Sequence, residues 1–241
     1  NTDPEMIGKL CSALANSARI DGQDIAYLCG NSLGLQPKSA VLELNKQLAV
    51  WQNHAVEGWF EGEQNWLNYH HQIKDLLAPI VGAKPEEVTC MNSLTVNLHL
   101  LMVSFFVPQG KRKKIICEAK AFPSDQYALE SQIKFHGYTK EEALIEVEPR
   151  QGEFHVREED IEAAIEKNKD SLALIMIGGV NYFSGQVLNM KRIAAAGHKV
   201  GAVVGFDLAH AAQLQRDWAA FSLMWRKEWQ TESAQALRHW N

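Results

Sequence analysis

The sequence predicts an α/β fold, a three-layer arrangement in which a mostly parallel sheet carries helices on both faces. In its second half, short apolar runs typical of buried strands alternate with segments of helical periodicity. These runs are continuously apolar, as expected for parallel strands covered on both sides. No internal repeat or low-complexity linker interrupts them. We therefore predict a helical lead-in over residues 1–23, one α/β domain over 24–212 and a diverged or truncated tail over 213–241.

Composition excludes several classes of protein. The 241 residues are 46% hydrophobic and 22% charged, which is ordinary for a globular chain and unlike a disordered one. The net charge of −5 gives no basic surplus for nucleic acid. No apolar run reaches the roughly 18 residues of a membrane-spanning helix. A polar, acidic N-terminus and four cysteines without a C-x-x-C pair favour a cytoplasmic protein with reduced thiols.

The first half of the chain is predicted to be mainly helical. Apolar residues recur at helical spacing over residues 4–16, 38–53 and 66–81. A turn is predicted at 30–34, where two glycines lie within five residues. Residues 88–95 form a short β-leaning run that ends in small polar residues. The apolar stretch 96–107 follows it and predicts a buried core helix.

From residue 115 onward, strands and helices alternate. The predicted strands cover residues 115–118, 144–147, 172–177 and 202–206, and the predicted helices start near Pro123 or cover 158–169 and 190–199. Connections between parallel strands of one sheet are nearly always right-handed. Ligands of such sheets bind beyond the carboxyl ends of the strands, so the polar residues that follow each strand are the candidate site.

The first two candidate segments precede or begin helices. In Asn92-Ser93-Leu94-Thr95, the backbone N–H groups and the Thr95 hydroxyl could bind an anion, or Ser93 or Thr95 could simply cap the helix. In the segment 121–125, Phe122 could stack on a flat ligand while Asp125 accepts a hydrogen bond. The alternative is a proline-initiated helix with acidic residues at its N-terminus.

The other two segments follow later strands. Residues 178–186 begin with two glycines and form either a ligand loop or a plain turn. Asp207 ends an otherwise apolar strand, where an ionised carboxylate is costly unless it is paired. A protonated heteroaromatic nitrogen is one suitable partner, and His210 lies three residues on. Alternatively, Asp207 caps the next turn.

The sequence gives little support for a metal site or a phosphate-binding loop. Adjacent histidines do not share a helix face, so we expect His70 and His71 to be exposed and predict no metal site. No phosphate-binding G-x-x-x-x-G-K-[ST] loop occurs.

Taken together, the candidate segments resemble kynureninase, a pyridoxal-phosphate enzyme family of the type I aminotransferase fold. The matching motifs are YLCGNSLGLQPK at 27–38, MNSLTVNLHLLM at 91–102, EAKAFPSD at 118–125, GGVNY at 178–182 and GFDLAH at 205–210. The resemblance extends from about residue 24 to 212, and the motifs occur in the same order as in the family. It implies the large domain of these enzymes, and it implies that the smaller C-terminal domain is absent from this sequence.

The resemblance implies a role for each matching residue. Leu94 and Thr95 are similar to the contacts of the cofactor phosphate, and Asp207 to the aspartate that pairs with the protonated pyridine nitrogen. Phe122 is similar to the ring that stacks on the pyridine. The remaining implied cofactor contacts are Pro123, Ser124, Asp125, Gly178 (a serine in some members) and His210, and the implied substrate contacts are Asn31 and Ser32.

The resemblance also implies an activity. The family hydrolyses L-kynurenine, 3-hydroxykynurenine or both to the corresponding anthranilate and L-alanine, in tryptophan catabolism and NAD biosynthesis. It uses pyridoxal 5'-phosphate held by a lysine. Its members are cytoplasmic homodimers that act on a small amino acid, without nucleic acid or membrane.

The tail departs from the family pattern. Asp217-Trp218 and Trp225 resemble the residues that precede the cofactor-binding lysine, and Lys227 is the candidate for that lysine. Lys227 is two positions short of the expected offset, and Arg226 replaces the usual tyrosine before it. Two alternatives therefore remain: an inactive or truncated remnant that acts as a binding module, and another class V-like pyridoxal-phosphate enzyme.

Overall fold

A computed structural model describes residues 15–27, 33–63 and 65–211. The chain divides into two compact units, Asn1–Gln72 and Ile73–Asn241. The helix predicted over 4–16 lies almost entirely outside the described residues, and the domain boundaries predicted near residues 23 and 212 stay predictions.

The first unit contains a small hairpin and one long helix. Its elements are β1 (Arg19–Ile20), β2 (Gln23–Asp24), α1 (Ala40–His54) and two 3-10 helices, Ala55–Trp59 and Trp66–His71. β1 and β2 pair in antiparallel fashion. Asp21 and Gly22 connect them with positive φ angles of 51° and 77°, a conformation that glycine adopts readily. Helix α1 confirms the helix predicted over 38–53.

The second unit is a parallel α/β sheet with its helices. Its elements are α2 (Lys74–Leu77), a 3-10 helix (Pro85–Glu87), α3 (Leu94–Phe105), β3 (Lys114–Glu118), α4 (Pro123–Phe135), α5 (Lys140–Ala143), β4 (Leu144–Val147), α6 (Glu158–Lys167), β5 (Leu172–Gly178), α7 (Met190–Lys199) and β6 (Val203–Asp207). The strand order is β4-β3-β5-β6, and every neighbouring pair is parallel. All four strands confirm the predicted strands to within one residue.

Alternate residues of the strands point into two separate cores. On one face, Ile115 and Cys117 of β3 pack with residues of α3 and α4. On the other face, Ile116 packs with residues of α6 and α7. Gly197 of α7 lies so close to the sheet that a Cβ there would meet a Val204 methyl at 2.5 Å. The predicted three-layer arrangement, with helices on both faces, is confirmed.

Two local predictions before the sheet were wrong. Residues 66–81 do not form one helix but break into the 3-10 helix Trp66–His71 and the single turn α2. Pro79 has no N–H to continue the helix beyond Leu77 and Ala78. The β-leaning run 88–95 contains no strand. Val88 is extended, with φ −117° and ψ 133°, but no partner strand lies beside it within the described residues, and strand formation requires such pairing.

Helix α3 is confirmed as a helix, but its predicted burial was wrong. Within α3 only Leu98 and Met102 are buried. Five other apolar residues are exposed in the described structure: Leu94, Val96, Leu100, Leu101 and Val103. A helix that is apolar on all sides does not reveal which side meets the sheet. At 12 residues α3 is too short to cross a membrane, and no longer helix of that kind occurs in the described part of the chain.

Candidate active site

The carboxyl ends of three neighbouring strands bring Glu118, Gly178 and Asp207 together. Parallel pairing places these ends at one edge of the sheet. Gly178 lies in register with Asp207 across β5 and β6, and the Gly179 N–H donates to the Asp207 carbonyl at 2.8 Å. The Glu118 carboxylate accepts the Gly178 N–H, with N–O distances of 3.1 and 3.3 Å. Acidic side chains from β3 and β6 therefore flank Gly178.

Asp125 adds a third carboxyl group to this edge. It lies in the first turn of α4, which Pro123 begins, and its side chain is only 6% exposed. Its carboxyl group lies within hydrogen-bonding reach of that of Asp207. One Asp207 oxygen also accepts the Ala209 N–H at 2.7 Å. Asp125 and Asp207, which the sequence placed in separate candidate segments, are thus in direct contact.

Burial and charge alter the acidity of this cluster. Burial raises the pKa of Asp125 to about 7, and the negative charges of Asp207 and Glu118 contribute to the rise. Burial likewise raises the pKa of Glu118, against the stabilising N–H of Gly178, while the charge of Asp207 raises it further. Asp125 therefore retains its proton to an unusually high pH, because burial and the adjacent negative charges disfavour its ionised form.

One oxygen of the pair is unsatisfied in the part of the chain that the structure describes. Within the described residues, Oδ1 of Asp125 is buried and accepts no hydrogen bond. A buried carboxylate oxygen without a partner is costly. A cationic group, such as a protonated ring nitrogen, would supply both the charge and the hydrogen bond that this edge of the sheet needs. The residues present therefore fit a heteroaromatic cofactor.

Phe122, three residues before Asp125, forms an aromatic pair with Tyr182. Phe122 precedes Pro123 at the start of α4 and is half exposed. The Tyr182 ring meets it edge to face, with centroids 5.1 Å apart and planes at 85°. Tyr182 belongs to the loop that follows Gly178. Phe122 thus has an accessible ring surface for stacking on a flat ligand, and Ser124 hydrogen-bonds the Asp125 carboxyl group.

The N-terminus of α3 is arranged for an anion. Leu94 and Thr95 begin the helix, and the N-cap residue Ser93 makes no capping hydrogen bond through its side chain. The segment before the helix is held in place by Asn97, whose side chain bonds the N–H and the carbonyl of Asn92 at 3.0 Å each. The first N–H groups of a helix can bind phosphate. Ser93 thus occupies the N-cap position, as one alternative predicted, but its side chain does not cap the helix.

The structure describes some of the remaining predicted site residues, and the others lie outside the described residues. His210 lies in the turn after Asp207. At Gly178, an added Cβ would lie 3.0 Å from a Glu118 oxygen, so glycine suits this position and a serine would require the carboxylate to shift. Asn31, Ser32 and Lys227 lie outside the described residues. His70 and His71 are exposed, as predicted.

Glu118 was missed by the sequence reasoning, although a signal existed. It ends the apolar strand Ile115-Ile116-Cys117-Glu118 in the same way that Asp207 ends its strand. The rule that singled out Asp207, a carboxylate at the end of an apolar strand, applies equally to Glu118.

Comparisons with known proteins agree with this arrangement. The aminotransferase class-V family matches residues 26–217. The kynureninase of Flavobacterium psychrophilum is 57% identical over 192 residues, covering 80% of this chain and 45% of that protein. The kynureninase of Nematostella vectensis is 48% identical over 193 residues, covering 80% of this chain and 42% of that protein. The chain thus spans about half the length of the curated relatives it matches.

Solved structures share the fold at low identity. A cysteine desulfurase from Thermococcus onnurineus is 17% identical with a TM-score of 0.57, covering 86% of this chain and 48% of that one. A mutant of the lyase C-DES, with glycine linked to its pyridoxal-phosphate cofactor, is 16% identical with a TM-score of 0.59, covering 88% of this chain and 51% of that one.

The predicted α/β architecture is confirmed by these folds. Since the family match covers most of the sequence, including the strand ends that carry Glu118, Gly178 and Asp207, the chain belongs to the aminotransferase class-V family.

Proposed function

We propose that this chain is the cofactor-binding part of a kynureninase and that it binds pyridoxal 5'-phosphate. The observation that carries the proposal is the interaction of buried Asp125 with Asp207, in which one Asp125 oxygen accepts no hydrogen bond within the described residues. The 48–57% identity to kynureninases supports the same assignment. The proposed reaction of the whole protein is hydrolysis of L-kynurenine, 3-hydroxykynurenine or both to the anthranilate and L-alanine. We further propose a cytoplasmic homodimer that serves tryptophan catabolism and NAD biosynthesis.

Each site residue has a proposed task toward the cofactor. Asp207 would hold the ring nitrogen in its protonated form, with Asp125 beside it. Phe122 would stack on the ring, and the first N–H groups of α3 with the Thr95 hydroxyl would bind the phosphate. Gly178 and His210 would line the rest of the cofactor pocket. When bound, pyridoxal phosphate supplies an electron-accepting ring.

Binding of pyridoxal phosphate tests the proposal directly. Equilibrium dialysis of the 241-residue chain against pyridoxal phosphate should show one saturable site per chain. Pyridoxal without its phosphate should bind far more weakly, because it leaves the α3 N-terminus without an anion. Absence of saturable binding would overturn the proposed function.

Thr95 provides a prediction about the phosphate. Thr95→Ala should raise the dissociation constant for pyridoxal phosphate about 10- to 150-fold, which is a lost charge-assisted hydrogen bond of roughly 1.5–3 kcal/mol. Thr89→Ala, outside the helix, is the matched control and should leave the affinity unchanged. Equal affinities of the parent and Thr95→Ala would contradict a phosphate contact at this residue.

The position of Lys227 favours a second candidate for this chain alone, a binding module without turnover. Lys227 is offset by two positions from the family pattern and follows Arg226. We therefore expect no covalent attachment of the cofactor to Lys227 and no release of anthranilate from kynurenine by the 241-residue chain. Borohydride reduction followed by peptide mapping checks the first expectation. A phosphopyridoxyl group on Lys227 together with anthranilate release would show that the chain is a competent enzyme.

A further inference from the structure

Glu118 is a buried acidic residue to which the proposed function gives no task. Its side chain is only 7% exposed, and it ends strand β3, which lies next to β5 at the edge of the sheet that carries Gly178 and Asp207. Burying a carboxylate in this way is costly unless its interactions compensate. Its side chain accepts a hydrogen bond from the Gly178 N–H. Its placement therefore calls for an explanation beyond core packing.

The contact with Gly178 connects Glu118 to Asp207. Gly178 is in register with Asp207, and the next N–H along the chain, that of Gly179, donates to the Asp207 carbonyl. A Cβ at Gly178 would lie 3.0 Å from the Glu118 oxygen, so glycine permits the carboxylate to approach this closely. Glu118 thus fixes the backbone that lies directly beside the residue proposed to bind the ring nitrogen.

Glu118 also contributes charge. Its negative charge acts on Asp125, and Asp207 in turn acts on Glu118. The three carboxyl groups therefore act on one another, and screening by water is weak around Glu118 and Asp125, which are buried. A cation held by Asp207 would experience the charge of Glu118 as well.

We propose that Glu118 is a positioning residue, one that holds the Gly178 backbone and supplies negative charge behind the Asp125–Asp207 pair, so that a protonated ring nitrogen binds there more tightly. This inference rests on the proposed function, because it concerns the same ligand. It adds a residue whose influence depends on the charge of that ring and not on contact with it.

Two ligands distinguish an effect of the Glu118 charge from an effect on the structure of the site. One ligand is pyridoxal phosphate, and the other is its carbocyclic analogue, in which a C–H group replaces the ring nitrogen. Glu118→Gln retains an oxygen to accept the Gly178 N–H but removes the charge. We expect Glu118→Gln to bind pyridoxal phosphate about three- to tenfold more weakly, equivalent to up to about one pKa unit of the ring nitrogen. Its affinity for the carbocyclic analogue should stay within about twofold of the parent value.

The ratio of the two dissociation constants is the measured quantity, by equilibrium dialysis on the same preparation. A partly misfolded variant would bind both ligands more weakly to the same extent, so the ratio of the dissociation constants isolates the effect of charge. Glu146→Gln on the neighbouring strand β4 is the matched control, since it removes a carboxylate that pairs with Lys140 instead, and it should not change the ratio.

The outcomes are distinct. An unchanged ratio for Glu118→Gln, whether both affinities stay constant or both fall equally, would overturn the role of the charge. Failure of the parent chain to bind pyridoxal phosphate would instead overturn the proposed function and this inference with it. Binding by the parent with an altered ratio in Glu118→Gln alone would support both.

Discussion

Replacement of Asp207 with asparagine should weaken the binding of pyridoxal phosphate at least about 30-fold. The asparagine amide is nearly the same size as the carboxylate and can still accept the Ala209 N–H, so the fold should persist. It cannot provide the negative charge that keeps a ring nitrogen protonated. Loss of one partner from a buried, hydrogen-bonded charge pair costs roughly 2–5 kcal/mol, and the lower limit corresponds to about 30-fold in affinity.

The control for this variant removes an aspartate from the opposite edge of the same sheet. Asp170 is exposed and lies just before β5 begins, so Asp170→Asn changes the net charge equally without affecting the site. Equilibrium dialysis of both variants and the parent gives the comparison. A folded Asp207→Asn chain with the parent's affinity would remove Asp207 from the cofactor site and would contradict the proposed function.

The sheet was predictable because its strands bury both faces. The runs Ile115–Cys117 and Leu174–Ile175 are almost continuously apolar and buried, and such segments have few alternatives to a parallel sheet. The elements before the sheet were less predictable. Helix α3 is apolar on every side, so its sequence does not reveal the face that meets the sheet. Residues 88–95 have strand propensity, but pairing decides whether a strand forms, and propensity does not provide a partner.

The site shows a similar division between what local sequence reveals and what it cannot. Asp207 was recognised because a carboxylate ends an apolar strand, and Glu118 shows the same local signal. That Asp125 touches Asp207 could not be inferred from spacing, since 82 positions separate the two residues in the sequence. Their contact follows from the strand order β3-β5-β6, with α4 starting soon after β3. Long-range register, which no short motif encodes, therefore determines the chemistry of the cluster.

The contact between Asp125 and Asp207 makes the stability of the cofactor-free protein depend on pH. Burial and the neighbouring carboxylates raise the pKa of Asp125 to about 7, whereas an aspartate in the unfolded chain titrates near 3.9. The folded state thus binds more protons than the unfolded state between these values. This group contributes its full stabilisation below about pH 4, and the contribution is lost as the pH rises through about 7.

Asp125→Asn should remove this loss of stability. Like the protonated acid, its amide can donate a hydrogen bond to Asp207, but it never ionises. Relative to the variant, the cofactor-free parent should lose about 5–10 °C in melting temperature between pH 5 and pH 8. Thermal unfolding of both proteins at each pH, without pyridoxal phosphate, measures the difference. Because the ion pairs elsewhere on the surface are common to both chains, their titration cancels in this comparison.

Addition of pyridoxal phosphate makes the same prediction more specific. A cation bound at the pair would favour the ionised form of Asp125, so saturating cofactor should reduce the parent's loss of melting temperature between pH 5 and pH 8. Asp125→Asn should show a smaller change in its pH dependence, because it has only one carboxylate left to neutralise. A melting-temperature difference between the parent and the variant that is the same at pH 5 and pH 8 would mean that Asp125 is already ionised at pH 5. The cluster would then hold no extra proton, and the argument for a missing cationic partner would fail.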